Sequence, residues 1–328
     1  MAMKFLDAWR RGESLAAYLH EDALFRDASG VMHAGRDSAA QALAENVPET
    51  FKQQYPFESF HVFETPTLIG KVKTLERFIH RVYVQRKHSG RRLKLDMSYD
   101  GSHFSGFQKQ PRVRTVQGVL ERILAHILGH RADTYAAGRT DRGVHALSQT
   151  VHVDTTQALS TSALKNAIGG TLPDDIVLHS VEEVPQVFHA RYDAVARTYL
   201  YTIVHEKNPF YSHYALYHPV FAPEDLEHVL KRAEGSHDFR SFSKKVEKVS
   251  PVKYIHDVKV EREGVITRIE IKGNAFLRHM VRILVGNALY DLDKGTSLVK
   301  EGIEKPSLNA IKHMAKAEGL TLKEVHYK

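Results

Sequence analysis

Ala137-Gly138-Arg139-Thr140-Asp141-Arg142-Gly143-Val144-His145-Ala146 is the stretch on which the reading of this chain turns. One carboxylate, Asp141, stands between two arginines in a segment framed by glycines. Glycine permits backbone conformations and close approaches that other residues resist. The flanking guanidiniums favour the charged form of the acid, and they offer contacts to phosphates or to a displaced base. An ionised carboxylate in a cationic, glycine-framed loop suits nucleophilic or proton-transfer chemistry on a phosphate-bearing substrate. A lone Arg-Thr-Asp reads more simply as a charged surface turn; the whole ten-residue stretch weighs against that.

Outward from this loop the pattern is mixed. Leu93 to Tyr99 alternates as a half-buried strand does, and Asp100-Gly101 turns the chain. Val116 to Leu128 has helical spacing, with Gly129 as its stop. The spacing predicts strands at Gln149–Val153, Ile176–Val184 and Ala196–His205, a hairpin of Tyr254–Arg262 and Val265–Ile271, and a final strand at Leu322–Tyr327. Helices are predicted over Ser162–Ile168, Asp225–Ala233, Phe276–Leu292 and Leu308–Ala317. Without strict alternation of strands and helices, the fold class is α+β with largely antiparallel sheets.

Before residue 90 the pattern predicts a helix over 3–20, a short strand at Leu24-Phe25-Arg26-Asp27, a helix from Asp37 to about Asn46, and strands at Phe57–Leu68 and Thr74–Val84. The basic, polar run Lys87-His88-Ser89-Gly90-Arg91-Arg92 marks the domain boundary. The expected organisation is a small α+β domain at 1–90 and two halves of similar element content at 91–193 and 194–328.

The chain has 328 residues, 46 Lys+Arg against 39 Asp+Glu, and a net charge of +7. Residues 1–90 hold 12 basic and 11 acidic residues, so almost all of the excess falls after them. An anionic partner is expected at the larger, C-terminal part. The absence of cysteine excludes disulfides, thiolate nucleophiles and cysteine metal sites, and it fits a reducing compartment. No membrane-length apolar run and no apolar leader core occur, which points to a cytoplasmic protein with no membrane partner. The 21 histidines form no metal-ligand motif, so neither metal nor cofactor is expected.

Five further segments join the Asp141 loop: Tyr99-Asp100-Gly101-Ser102-His103-Phe104-Ser105-Gly106-Phe107-Gln108, Thr115-Val116-Gln117-Gly118, Phe188-His189-Ala190-Arg191, Arg197-Thr198-Tyr199-Leu200-Tyr201, and Gly273-Asn274-Ala275-Phe276-Leu277-Arg278-His279-Met280-Val281-Arg282. In this order and spacing they resemble the tRNA pseudouridine synthase A family, from about Leu93 to Tyr327. The resemblance implies the pseudouridine synthase fold of two similar mixed halves, and isomerisation of uridine to pseudouridine at positions 38, 39 or 40 of the tRNA anticodon arm. It implies Asp141 as the catalytic aspartate, attacking ribose C1′ or assisting departure of uracil through a glycal. Tyr199 is implied as the tyrosine that packs on the base and helps remove the C5 proton, and Arg282 as the partner that keeps Asp141 ionised. Arg139 is implied to displace the target base and fill its place; Thr140, Arg142, Gln108 and Phe107 complete the substrate contacts. A homodimer with tRNA across both subunits is implied as well.

Other readings of these residues stay open. Phe104 and Phe107 fit the core as well as an RNA-facing role. Tyr201 fits a cross-strand core position. His145 fits a hydrogen-bonding role that orients the loop. Lys244 and Lys245 fit phosphate contacts or an ordinary solvated loop. Arg142 stands where the family commonly has a small residue, and Ala315-Lys316-Ala317-Glu318-Gly319-Leu320 matches it only loosely. The reading from another class is a non-catalytic tRNA-binding or chaperone module on the same fold.

Residues 1–88 lie outside that family. His20-Glu21-Asp22-Ala23-Leu24-Phe25-Arg26-Asp27 and His33-Ala34-Gly35-Arg36-Asp37 resemble a truncated SnoaL-like domain of the nuclear transport factor 2-like cone fold. That resemblance implies either a packing or dimerisation module, or a pocket for a small apolar ligand lined by Tyr18, Asp22, Asp27 and His33.

Overall fold

The computed structural model describes residues 24–26, 32–34, 90–244 and 250–328. Leu24–Arg26 (β1) and Met32–Ala34 (β2) pair antiparallel. The other readings made for residues 1–89, including the pocket of Tyr18, Asp22 and Asp27, lie outside the described residues, as does Lys245.

From residue 91 a ten-stranded sheet forms. Arg91–Tyr99 (β3) alternates as its sequence demands, with Leu93, Leu95 and Met97 fully buried. It pairs antiparallel with His145–Thr155 (β5) on one side and Ile176–Val184 (β6) on the other, and Thr134–Ala136 (β4) adds to β5. On this half Val116–Leu128 (α1) is capped by the Thr115 hydroxyl and stopped by Gly129 at φ 72. It packs with Thr161–Gly169 (α2), which lies against β6. Leu120, Leu124, Leu164 and Ile168 share one core with Leu93, Leu95, Met97, Val151 and Val153. Each such side chain contributes about 1.5–3 kcal/mol through its burial.

The second half is built from Ala196–Val204 (β7), Leu216–Tyr217 (β8), Gly235–Asp238 (β9), Val252–Glu263 (β10) and Ile266–Gly273 (β11). β7, β11, β10 and β9 pair in that order, all antiparallel, and β8 adds parallel to β7. Pro223–Lys231 (α3) lies against β10 and against Met280–Lys294 (α4), which is followed by Leu298–Glu304 (α5).

The two halves are joined by the last strand, Leu320–His326 (β12). It pairs parallel with β5 at Thr321↔His145 and Leu322↔Ala146, and antiparallel with β7 along Leu320 to His326. The fold is α+β with a largely antiparallel sheet running unbroken from β6 to β9.

One predicted helix is absent. Leu308–Ala317 is irregular backbone laid across α4, and the helix that forms is α5, just before it. The reason is that α4 takes its backbone groups. Asn287 donates to Ile311 O at 3.2 Å and accepts from His313 N at 2.8 Å. Arg282 and Ala315 exchange hydrogen bonds, each 2.9 Å long. A backbone spent on a neighbour cannot also close its own helical turns. The same backbone passes so close to α4 that a Cβ built on Gly286 would sit 2.2 Å from His313 O.

Glycine to alanine inside a helix ordinarily stabilises by up to ~1 kcal/mol. Gly286→Ala is expected to reverse that sign and destabilise by about 1–3 kcal/mol, because the strap over α4 must move. Equilibrium urea unfolding checks it.

Candidate active site

The Asp141 loop, residues 137–144, leaves β4 and enters β5. Its irregular backbone is held by side chains of the sheet. Gln149, fully buried on β5, donates to Gly138 O at 2.9 Å and accepts from Gly138 N at 3.4 Å. Arg197 of β7 donates to Ala137 O at 2.8 Å, to Arg191 O at 2.7 Å and to Asn274 O at 3.1 Å, so one guanidinium gathers three segments. The Tyr99 hydroxyl and Thr140 Oγ1 are 2.8 Å apart. Phe107 N donates to Thr140 O at 3.1 Å, and Val144 N closes the turn on Asp141 O at 3.2 Å. Gly143 adopts φ 78, a left-handed conformation that glycine takes without strain. His145 ends the loop, accepting from Gly101 N at Nδ1 (3.0 Å) and donating from Nε2 to His213 O (2.8 Å).

This scaffold presents Asp141 with its side chain 28% exposed, next to the start of α4. Arg282 Nη1 lies 3.6 Å from Oδ2, and His279 Nε2 lies 3.7 Å from Oδ1. Both contacts are longer than hydrogen bonds, and the one to Arg282 is an ion pair. Arg282 is aimed there by its other nitrogen, which donates to Ala315 O. His279 caps α4 with φ 64, a strained conformation for a residue with a Cβ. Burial lowers its pKa; Asp141 opposes that shift, and the cations Arg278 and Arg282 add to it. The uncharged imidazole is thereby favoured, and its Nε2 accepts from Arg278 Nε at 3.0 Å.

Tyr199 stands on β7 beside the loop: a Cβ built on Gly138 would lie 3.9 Å from its hydroxyl. Its ring meets Phe276 edge-on at 5.0 Å between centroids. Burial pushes the phenol up to about 12; Arg197 opposes this and Asp141 adds to it. Arg139 is exposed, though partly desolvated near Arg191 and Tyr192; that desolvation and the like charge of Arg191 lower its pKa. Arg142 and Gln108 are exposed.

Asp141, Tyr199 and Arg282 thus belong to one neighbourhood, and Arg139, two residues before Asp141 on the same loop, stands by Arg191 and Tyr192. Two expected substrate contacts are better described otherwise. Phe107 is 2% exposed and packs in the core against Tyr99, so its ring has no face to offer a base. Thr140 is buried, and its hydroxyl is engaged by Tyr99. Phe104 is core too, under the Arg114 guanidinium at 4.0 Å. Tyr201 is fully buried and donates to Lys316 O at 2.8 Å.

Three residues quoted from the sequence had no role assigned to them there. Gln149 and Arg197 are polar side chains inside apolar strand patterns, which is a legible signal; the left-handed backbone of His279 leaves none. Among the described residues no group of His, Asp and Glu is placed to hold a metal ion. The arrangement offers a carboxylate beside a fixed cation, an aromatic wall and an outward arginine. Such a site can stabilise cationic character at a carbon while a planar group leaves and returns.

The family model for tRNA pseudouridine synthase matches residues 97–193 and 229–328. The tRNA pseudouridine synthase A of Anoxybacillus flavithermus is 38% identical over 245 residues, 72% of this chain and 99% of that protein. That of Thermotoga neapolitana is 40% identical over 243 residues, covering 70% and 97%. Among solved structures, a chain of the crystal structure of a Cbf5-Nop10-Gar1 complex matches at a TM-score of 0.30 and 11% identity, covering 70% of this chain and 57% of that one. The sequence matches run through the Asp141 loop and the start of α4 alike, and on their strength this chain belongs to the tRNA pseudouridine synthase family.

Proposed function

We propose that the protein isomerises uridine to pseudouridine in tRNA, at positions 38, 39 or 40 of the anticodon arm. The observation that carries the reading is the partly exposed Asp141 carboxylate, 3.6 Å from the Arg282 guanidinium and beside Tyr199. The reaction breaks the N1–C1′ bond, forms a C5–C1′ bond, releases the C5 proton and protonates N1. C1′ gains cationic character as uracil departs, and the Asp141 carboxylate, faced by Arg282, stabilises it, by covalent attack or by favouring the glycal. A paired base is out of reach until it leaves the helix; exposed Arg139 is suited to take its place while Tyr199 and Phe276 wall the turned base. Atoms and charge balance between substrate and product without a redox partner. The protein acts in the cytoplasm, as a homodimer. Among the described residues no helix is long and apolar enough to cross a membrane.

Asp141→Asn keeps the side-chain shape and removes the charge. Tritium release from tRNA labelled at uridine C5 is expected to fall by more than about 1,000-fold while tRNA affinity stays within a few-fold. Full activity in this variant sinks the mechanism, and tRNA binding without release by the intact chain favours the non-catalytic module.

Tyr199 carries a second test. With its phenol up at about 12, it is neutral throughout the working range. A phenolate base would make the single-turnover rate rise about tenfold per pH unit up to that value. The rate is expected to be level from pH 7 to 9, with Tyr199 acting as a neutral wall that gives up its own proton only as it takes another.

A further inference from the structure

The segment that donates to Thr140 O through Phe107 N continues outward as Lys109–Thr115 before entering α1. A groove of about 990 Å³ opens there. Its cations are Lys109, Arg112, Arg114, Arg122 and Arg131; its acids are Glu121 and Asp133. Three of the cations have partners: Lys109 with Glu121 at 2.9 Å, Arg131 with Asp133 at 2.9 Å, and Arg114 with Asp175 at 2.5 Å. Arg112 and Arg122 are exposed and make no ion pair among the described residues. Arg112 also stands at φ 63, a conformation that costs of order 1 kcal/mol in a residue with a Cβ.

With Arg112 and Arg122 unpaired, the groove carries more positive than negative charge, and an anion seated in it offsets that. No aromatic side chain lines the groove, so it offers no stacking platform for unpaired bases. Its apolar lining is small, Val113, Val119, Ala125 and Ala132, with no deep pocket to anchor a protein side chain. What suits it is a regularly charged rod whose bases are already paired.

We propose that this groove is a second contact surface for the substrate tRNA, holding the phosphate backbone of a helical segment through Arg112 and Arg122 while the reacting base occupies the Asp141 site. The inference rests on the function proposed above.

The test uses the full chain, its Arg112→Gln/Arg122→Gln variant, and a charge-matched control, Lys259→Gln/Arg262→Gln, on the outer hairpin of β10. Affinity for an unmodified tRNA transcript is measured by fluorescence anisotropy across a salt series, and tritium release gives kcat and KM. The groove variant is expected to raise Kd and KM about tenfold and to lower the slope of log affinity against log salt by about 2, one for each lost phosphate contact. Its kcat and the behaviour of the control are expected to stay within about twofold. An unchanged salt slope and KM overturns the proposal, and so does an equal loss in the control. The two readings fail separately. Weaker binding by the groove variant, with no tritium release from the intact chain, sinks the isomerase and leaves the groove. Normal release with unaltered binding by the variant does the reverse.

Discussion

Buried backbone that is neither helix nor strand must find its hydrogen-bond partners elsewhere, and around Asp141 those partners are side chains of the sheet and of α4. Gln149 spans Gly138, Tyr99 holds Thr140, and Arg197 gathers the carbonyls of Ala137, Arg191 and Asn274. On the other wall, Asn287 and Arg282 hold the strap of residues 311–315. The carboxylate is therefore fixed by regular elements even though it sits on a loop. Such rigidity lets a charge stabilise a developing cation without reorganising first.

The electrostatics follow from that framework. Arg282 does two tasks with one planar head: Nε is spent on Ala315 O, and Nη1 is left facing Asp141. A lysine has no second nitrogen with which to fix its direction. On the other side of the carboxylate His279 turns its ring nitrogen to Arg278, and its burial favours the uncharged imidazole. The site carries its cations at Arg282 and, outward, at Arg139 and Arg142, where a polyanion arrives.

How much of this was legible in the sequence depended on range. The α1 helix announces itself locally, through the Thr115 cap, apolar spacing and the Gly129 stop. The hairpin of β10 and β11 does so through alternation on either side of Glu263-Gly264. The Asp141 loop, Tyr199 and Arg282 were readable as motif residues. What could not be read was set by distant backbone. Residues 308–317 have helical spacing, but Gly286 leaves a channel on α4 and Asn287 captures the strap there. β4 is three residues long and exists because β5 offers it an edge. Phe107 has the sequence of a loop aromatic; only the packing of Tyr99 shows that it turns inward.

The central place of β12 has a consequence for how the molecule is made. β5 and β7 are both synthesised long before the strand that separates them. Until β12 is made, β5 lacks its partners at His145 and Ala146, and β7 lacks them along Ala196 to Tyr201. Open edges are templates for pairing with other chains. A message cut short before β12 would therefore yield two half-sheets with sticky flanks, a substrate for chaperones and proteases. Substitutions that weaken β12 therefore threaten solubility as well as the fold around Asp141.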